Sequence, residues 1–383
     1  MPKGSAMQEN PFIIKGYAGN RYFCGREKET SALMGHILGN SDTVLISPRR
    51  YGKSGLLLHV LEQLKREHPE YDSLYTDISV TSSLGGLIDH LSNAILSAFP
   101  EKSSLGKQFL AFLKALRPYF TFNENTGKAE VHLEMTSPVQ KERTLQQIFD
   151  ILEQHSSPVL LVIDEFQQIT EYPETNVEAL LRSHIQHMHN VRFIFSGSKR
   201  RMMASIFNDA ARPFYASCET MHLNKLDNDV YAEFIRHQFN DYGRSIEEDA
   251  LNLILEWTRR HTYYTQRVCH NLFDRGNRVI DVKAVRSVFQ DILEGESYNF
   301  LLLRDILPVQ QWRFLVGVAK EGSVSQITSN SFVSRHKIGS TATALRCAQS
   351  LEEKELILKS LDTKGSTYEV YNVFFSRWLE QEY

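Results

Sequence analysis

Short runs of β-branched and aliphatic residues alternate with longer amphipathic stretches through the first two hundred or so positions, the pattern of a parallel sheet flanked by helices. Strands are expected over 43–47, 73–77, 159–164, 192–197 and 218–223, and helices over 53–67, 83–99, 139–154 and 177–189. Residues 119–123 and 128–135 alternate apolar and polar side chains around Asn125-Thr126-Gly127, which reads as a hairpin inserted at the domain edge, a lid or a partner surface. From about Asn224 the strand signal stops, and 228–240, 246–259 and 264–279 carry helical spacing. After Gly295 helices are expected over 310–319, 331–336 and 340–351. A hairpin of 356–360 and 367–373 follows, turning at Thr363-Lys364-Gly365. Helices closed by a short hairpin outline a winged helix. The expected division is an α/β core at 7–223, a helical lid at 224–297 and a winged-helix domain at 298–383.

A length of 383 residues exceeds one ordinary hydrophobic core and agrees with several domains. Hydrophobic residues at 42% and charged residues at 23% describe a folded, soluble chain. The formal net charge of -3 gives no electrostatic footprint for nucleic acid over the whole molecule. Cys24, Cys218, Cys269 and Cys347 lie far apart without a C-x-x-C pair, so reduced and mostly buried thiols are expected. Apolar runs such as Val159 to Ile163 are far shorter than the roughly 20 residues of a membrane span, and the N-terminal stretch lacks a signal-peptide core. The expected location is cytoplasmic, with no membrane partner.

Chemistry concentrates in Ser47-Pro48-Arg49-Arg50-Tyr51-Gly52-Lys53-Ser54, which follows an apolar run and opens an amphipathic helix beginning near Gly55. This is the strand, loop and helix order of a phosphate loop. Backbone N–H groups and the positive helix end would surround the phosphates of a nucleotide, Lys53 would neutralise β/γ charge and the Ser54 hydroxyl would hold magnesium. Ser47 stands where the strict motif has glycine. Val159 to Ile163 forms a second apolar strand that ends in Asp164-Glu165, two carboxylates where a buried parallel strand meets a ligand crevice. Asp164 is expected at magnesium and Glu165 at the attacking water. A third strand ends in Ser196-Gly197-Ser198. If it lies between the other two, either serine meets the γ-phosphate or the water; small turn residues closing a strand is the alternative. Lys53, Glu165 and Ser198 are the catalytic candidates.

In these residues the chain resembles the archaeal-type ATPase family of the AAA+/STAND P-loop lineage. Further matching pieces are N-P-F at Asn10, Pro11 and Phe12, then F-x-G-R-E-x-E with Gly25 and Arg26, and Met202-Met203 after S-G-S. H-x-Y-Y-T-Q from His261 and the Ala344-Leu345 and Leu351 to Lys354 pieces complete the set. The resemblance implies ATP as the nucleotide, with the N-P-F and G-R-E segments framing adenine and His261 opening a sensor-like helix. It also implies a sheet in which the S-G-S strand lies between the P-loop strand and the D-E strand. Arg260 and Thr262 depart from the glycine and proline that often flank the histidine. Arg200, Arg201 and Arg212 are candidate arginine fingers or solvated cations.

His184, His187 and His189 do not share one helix face, which favours a surface cluster over a metal site. Residues 300–383 hold ten Lys and Arg against nine Asp and Glu. Arg335, Lys337, Ser340 and Arg346 could line a recognition helix, and both DNA and protein stay open as partners. Three readings follow: a Mg-dependent ATPase acting as a nucleotide-controlled switch, a DNA-binding regulator that holds ATP with little hydrolysis, and a protein-directed signalling or scaffold ATPase. Oligomerisation is possible in each.

Overall fold

The computed structural model describes residues 9–116, 118–123, 127–362 and 365–383. Asn125, Thr126, Thr363 and Lys364, which belong to the two expected turns, and Met1 to Ala6 lie outside the described residues. The chain divides into two units, Lys15–Lys225 and Leu226–Tyr383, the latter including the residues up to Ile14.

In Lys15–Lys225 the elements are α1 (Glu27–Leu38), β1 (Thr43–Ile46), α2 (Lys53–Glu67), β2 (Asp72–Asp77), α3 (Leu84–Ala98), α4 (Ser104–Ala115), β3 (Pro118–Asn123), β4 (Lys128–Leu133), α5 (Pro138–Glu153), β5 (Val159–Asp164), α6 (Val177–Ile185), β6 (Val191–Gly197), α7 (Arg200–Asn208) and β7 (Glu219–His222). Five strands form a parallel sheet in the order β2-β5-β6-β1-β7. The S-G-S strand therefore lies between the other two motif strands, as the resemblance implies.

Both faces of the sheet are covered, which is why β1 and β5 read as unbroken apolar runs. Along β5, Leu160 and Val162 pack with Leu33, Leu57 and Val60 of α1 and α2. The intervening Leu161 and Ile163 pack with Ile88, Leu145 and Phe149 of α3 and α5. Helices α1, α4 and α7 are additions to the sequence reading. Helix α6 stops at Ile185, short of the expected 189. Beyond it His187 and Met188 bond three residues back, to His184 and Ile185, so the last turn tightens.

The second unit contains α8 (Asn228–Asn240), β8 (Ser245–Ile246), α9 (Glu248–Trp257), α10 (Thr262–Asp274), β9 (Val279–Ile280), α11 (Val282–Ile306), α12 (Val309–Glu321), α13 (Asn330–Arg335), α14 (Thr341–Glu353), β10 (Ile357–Asp362), β11 (Gly365–Val370) and α15 (Val373–Glu382). Strand pairing does not end at 224, because β8 and β9 form a two-residue parallel pair that delays the start of α9. Helix α10 ends before the expected 279, and Gly276 at φ 75 turns the chain away.

The change of pattern after Gly295 is a change of neighbours along one helix. Phe289 of α11 stacks on Trp257 of α9 at 3.8 Å, whereas Phe300 packs on Phe375 and Trp378 of α15. Helices α12 to α14 and the antiparallel β10–β11 pair form the winged helix, to which Val324 adds a bridge with Tyr368. The final helix α15, absent from the sequence reading, is capped by Asn372 and supplies Phe374, Phe375 and Trp378 to the core. No helix among the described residues is long and apolar enough to cross a membrane.

Candidate nucleotide site

Three adjacent parallel strands end together. The loop after β1 begins with Ser47, whose N–H donates to Gly197 O at 3.2 Å and whose hydroxyl donates to Pro48 O at 2.9 Å. Ser47 is not among the positive-φ residues, so the backbone does not demand glycine there. The left-handed positions are Arg50 at φ 65 and Gly52 at φ 93. Only at Gly52 is the missing Cβ an advantage, because it starts α2 from that conformation. No side chain caps α2 at Gly52, and its first turn holds no acid. Its N-terminal end thus suits an anion.

Lys53, the first residue of α2, is buried at 6% exposure and ion-paired to Asp164 Oδ1. Its Nζ also lies 3.0 Å from Glu165 Oε1 and 3.3 Å from Ser196 Oγ. Asp164, 1% exposed, accepts from the hydroxyls of Ser54 at 2.9 Å, Tyr75 at 2.9 Å and Ser196. Glu165 takes a left-handed backbone, φ 57, which returns its carboxylate to the same cluster. There its Oε2 accepts from Ser198 at 2.7 Å and from the Gln167 amide at 2.5 Å. Arg49 of the loop reaches Ser198 at 3.4 Å.

Burial pushes both carboxylates toward protonation, but the Lys53 charge and the surrounding donors outweigh it and hold Asp164 and Glu165 below the usual carboxylate range. Burial, followed by the Asp164 charge, pushes the Tyr75 phenol well up, so it remains a donor. A hydroxyl and an ionised carboxylate 2.9 Å apart are hard oxygen ligands of the kind magnesium takes with phosphate oxygens. This donor set fits Mg-ATP at Ser54 and Asp164.

Gly25, at φ 62, and Arg26, at φ 73, place the Arg26 guanidinium under the phosphate loop, where it donates to Tyr51 O at 3.3 Å and pairs with Glu29 at 2.8 Å. Phe23 stacks on His59 at 4.2 Å, beside Gly55. Asn10, Pro11, Phe12 and His261 belong to the other unit. Asn10 donates to His270 O at 3.0 Å and Asp274 at 2.8 Å, and Phe12 packs on Phe239 at 4.7 Å. His261 starts α10 with its ring 4.5 Å from Tyr264. Arg212 pairs with Glu178, its Nε at 3.0 Å. His184 is packed near Phe149, and no metal-holding group of His, Cys, Asp and Glu occurs among the described residues.

Tyr75 and Gln167 escaped the sequence reading. Tyr75 pairs in register with Val162, two residues before Asp164 on the same face, a relation visible only once the strand order is known. Gln167 carried no distinguishing signal, being one of two adjacent glutamines, Gln167 and Gln168, after Glu165-Phe166.

An AAA domain model matches residues 39–201 and a probable winged helix domain model matches 298–381. Among solved structures, a Walker-type ATPase of Pyrococcus abyssi is similar at 16% identity, over 96% of this chain and 99% of that one, with a TM-score of 0.66. The ORC2 protein of Aeropyrum pernix, in ADPNP-ADP complexes, is similar at 12% identity over 98% and 96%, with a TM-score of 0.61. The ORC1 protein of the same organism, solved in complex with DNA, is similar at 11% identity over 94% and 93%, with a TM-score of 0.50. At these identities the likeness concerns the fold. No curated protein matches the chain.

Proposed function

We propose that this chain, in which an AAA domain is followed by a probable winged helix domain, hydrolyses Mg-ATP at Lys53 and that nucleotide state switches the affinity of its winged helix for duplex DNA. The observation that carries the ATPase reading is the convergence of Lys53, Ser54, Asp164 and Glu165 at the uncapped start of α2. Magnesium held by Ser54 and Asp164 would neutralise charge on the β- and γ-phosphates. Lys53, now shared between two carboxylates, would turn its ammonium hydrogen bonds from them to phosphate oxygens when nucleotide enters. That exchange frees Glu165 Oε1 to accept a proton from water, while Ser198 and Gln167 hold Oε2. Arg26 steadies the loop from below through the Tyr51 carbonyl.

DNA as the partner is supported by a groove of about 540 Å³ in the winged-helix region. Its described lining includes Arg304, Arg313, Lys320, Arg335 and Lys337 and no Asp or Glu, although Arg335 also pairs with Glu321 just outside it. The near-balance of charge over residues 300–383 hides this local excess, which suits phosphate contacts. A second reading, a DNA-binding regulator with little turnover, is favoured by the commitment of Arg212 to Glu178.

Phosphate release measured with and without duplex DNA separates these readings. The switch predicts Mg-ATP turnover that DNA alters and a DNA affinity that differs between ATP and ADP. Tight ATP binding without turnover in either condition would establish the regulator instead, and DNA affinity indifferent to nucleotide would remove the switch.

A further inference from the structure

The β3–β4 ribbon has one defended edge and one open edge. On the β4 side, Asn93 of α3 imitates a neighbouring strand: its Oδ1 accepts from Val131 N at 2.8 Å and its Nδ2 donates to Val131 O at 2.9 Å. Asp89 accepts from Leu133 N at 3.0 Å. Val131 thus turns both backbone groups away from β3. In an antiparallel ladder its partner Phe120 must do the same, and so must Phe122 two residues on. Among the described residues β3 pairs with β4 alone. The outward-facing edge is uncharged from Pro118 to Asn123 and exposes Phe120 by 65% and Phe122 by 69%. Edges of this kind are usually blocked by charge, proline or a covering element.

We propose that the open edge of β3 pairs antiparallel with β3 of a second copy of this chain, joining two ribbons into a four-stranded sheet. The edge is self-complementary. A two-fold axis at Thr121 sets Phe120 opposite Phe122 of the second copy, which joins outward donors to outward acceptors in two hydrogen-bonded pairs. The same register places four phenylalanines on one face, where cross-strand aromatic pairs stabilise a sheet. No charge on either strand opposes the approach. Pro118, which lacks an N–H, ends the donor row on each side.

Light scattering across a concentration series, with three variants, tests this. Wild type is expected to reach twice the chain mass. Phe122→Pro removes only an outward donor, and Phe120→Lys places a charge on the edge; both are expected to stay monomeric with wild-type thermal unfolding. Thr121→Cys sits on the axis in a non-hydrogen-bonded pair, at a Cα separation of about 4.5 Å that a disulfide spans. Mild oxidation should therefore cross-link it, while wild type should not, because Cys24, Cys269 and Cys347 are buried and burial pushes the half-buried Cys218 thiol up to about 12. A wild type that stays monomeric, a dimer unaffected by Phe122→Pro and Phe120→Lys, or no Thr121→Cys cross-link would each overturn the proposal, including the case in which the edge serves a different protein's strand.

Discussion

Helices in the Lys15–Lys225 unit begin in two ways. Helices α3, α4 and α5 start from Ser83, Ser103 and Ser137, and each serine oxygen accepts a backbone N–H of the first turn. Helix α2 starts from Gly52, and α7 from Lys199, with neither a side-chain cap nor an acid in the first turn. Helices α1 and α6 also lack a side-chain cap, but acids in their first turns offset the helix charge. The two starts that remain electropositive follow β1 and β6, whose ends carry the loop and the S-G-S serines. A cap satisfies a helix for folding, whereas an uncapped start keeps its donors for a ligand.

The largest break in this contrast is expected from Lys53→Ala. It should reduce phosphate release by at least about 100-fold, the scale of losing a preorganised charge donor at a developing oxyanion. Calorimetric titration should show Mg-ATP affinity falling with it; affinity within twofold of wild type would place the nucleotide elsewhere. Tyr75→Phe deletes one hydroxyl donor to Asp164 and should slow turnover up to about tenfold, near the 1.5 kcal/mol upper end for a hydrogen bond and less than a buried charge. Unchanged steady-state rates would make Tyr75 a packing residue only.

Ser83→Ala and Ser137→Ala sharpen the other side. Each should cost about 1 kcal/mol in urea denaturation and leave nucleotide affinity unchanged. The smallest effect concerns pH. Because the native carboxyls of Asp164 and Glu165 are depressed, their stabilisation is complete above the ordinary carboxylate value of about 4 and is lost as pH falls through the lower native values. Melting temperature should therefore fall more steeply below about pH 4 in wild type than in Lys53→Ala, where burial is left unopposed, raises the native carboxyl values and makes acid stabilising at this site; superimposable acid profiles would contradict the Lys53 origin of the depression.

The phosphate loop and the Asp164-Glu165 strand were legible because each joins an apolar run to polar residues in a fixed order. The buried parallel strands were legible for the same reason. What escaped depends on distance along the chain. Tyr75 reaches Asp164 through strand register, and Asn93 and Asp89 defend β4 from another helix. The continuity of α11 through Gly295 also escaped, because its two ends pack on different neighbours and so carry different apolar patterns. The local basic groove vanished into a balanced count because spacing along the sequence does not report which cations share a surface.

Glu165→Gln most directly tests the assignment of the site, because it keeps the shape around Ser198 and Gln167 but removes the base. Mg-ATP affinity and single-turnover phosphate release should be measured on the same preparation. Retained affinity with turnover lowered by about 10² to 10⁴, the usual contribution of a general base, is the predicted result. Turnover at the wild-type rate would contradict the account and remove Glu165 from the reaction.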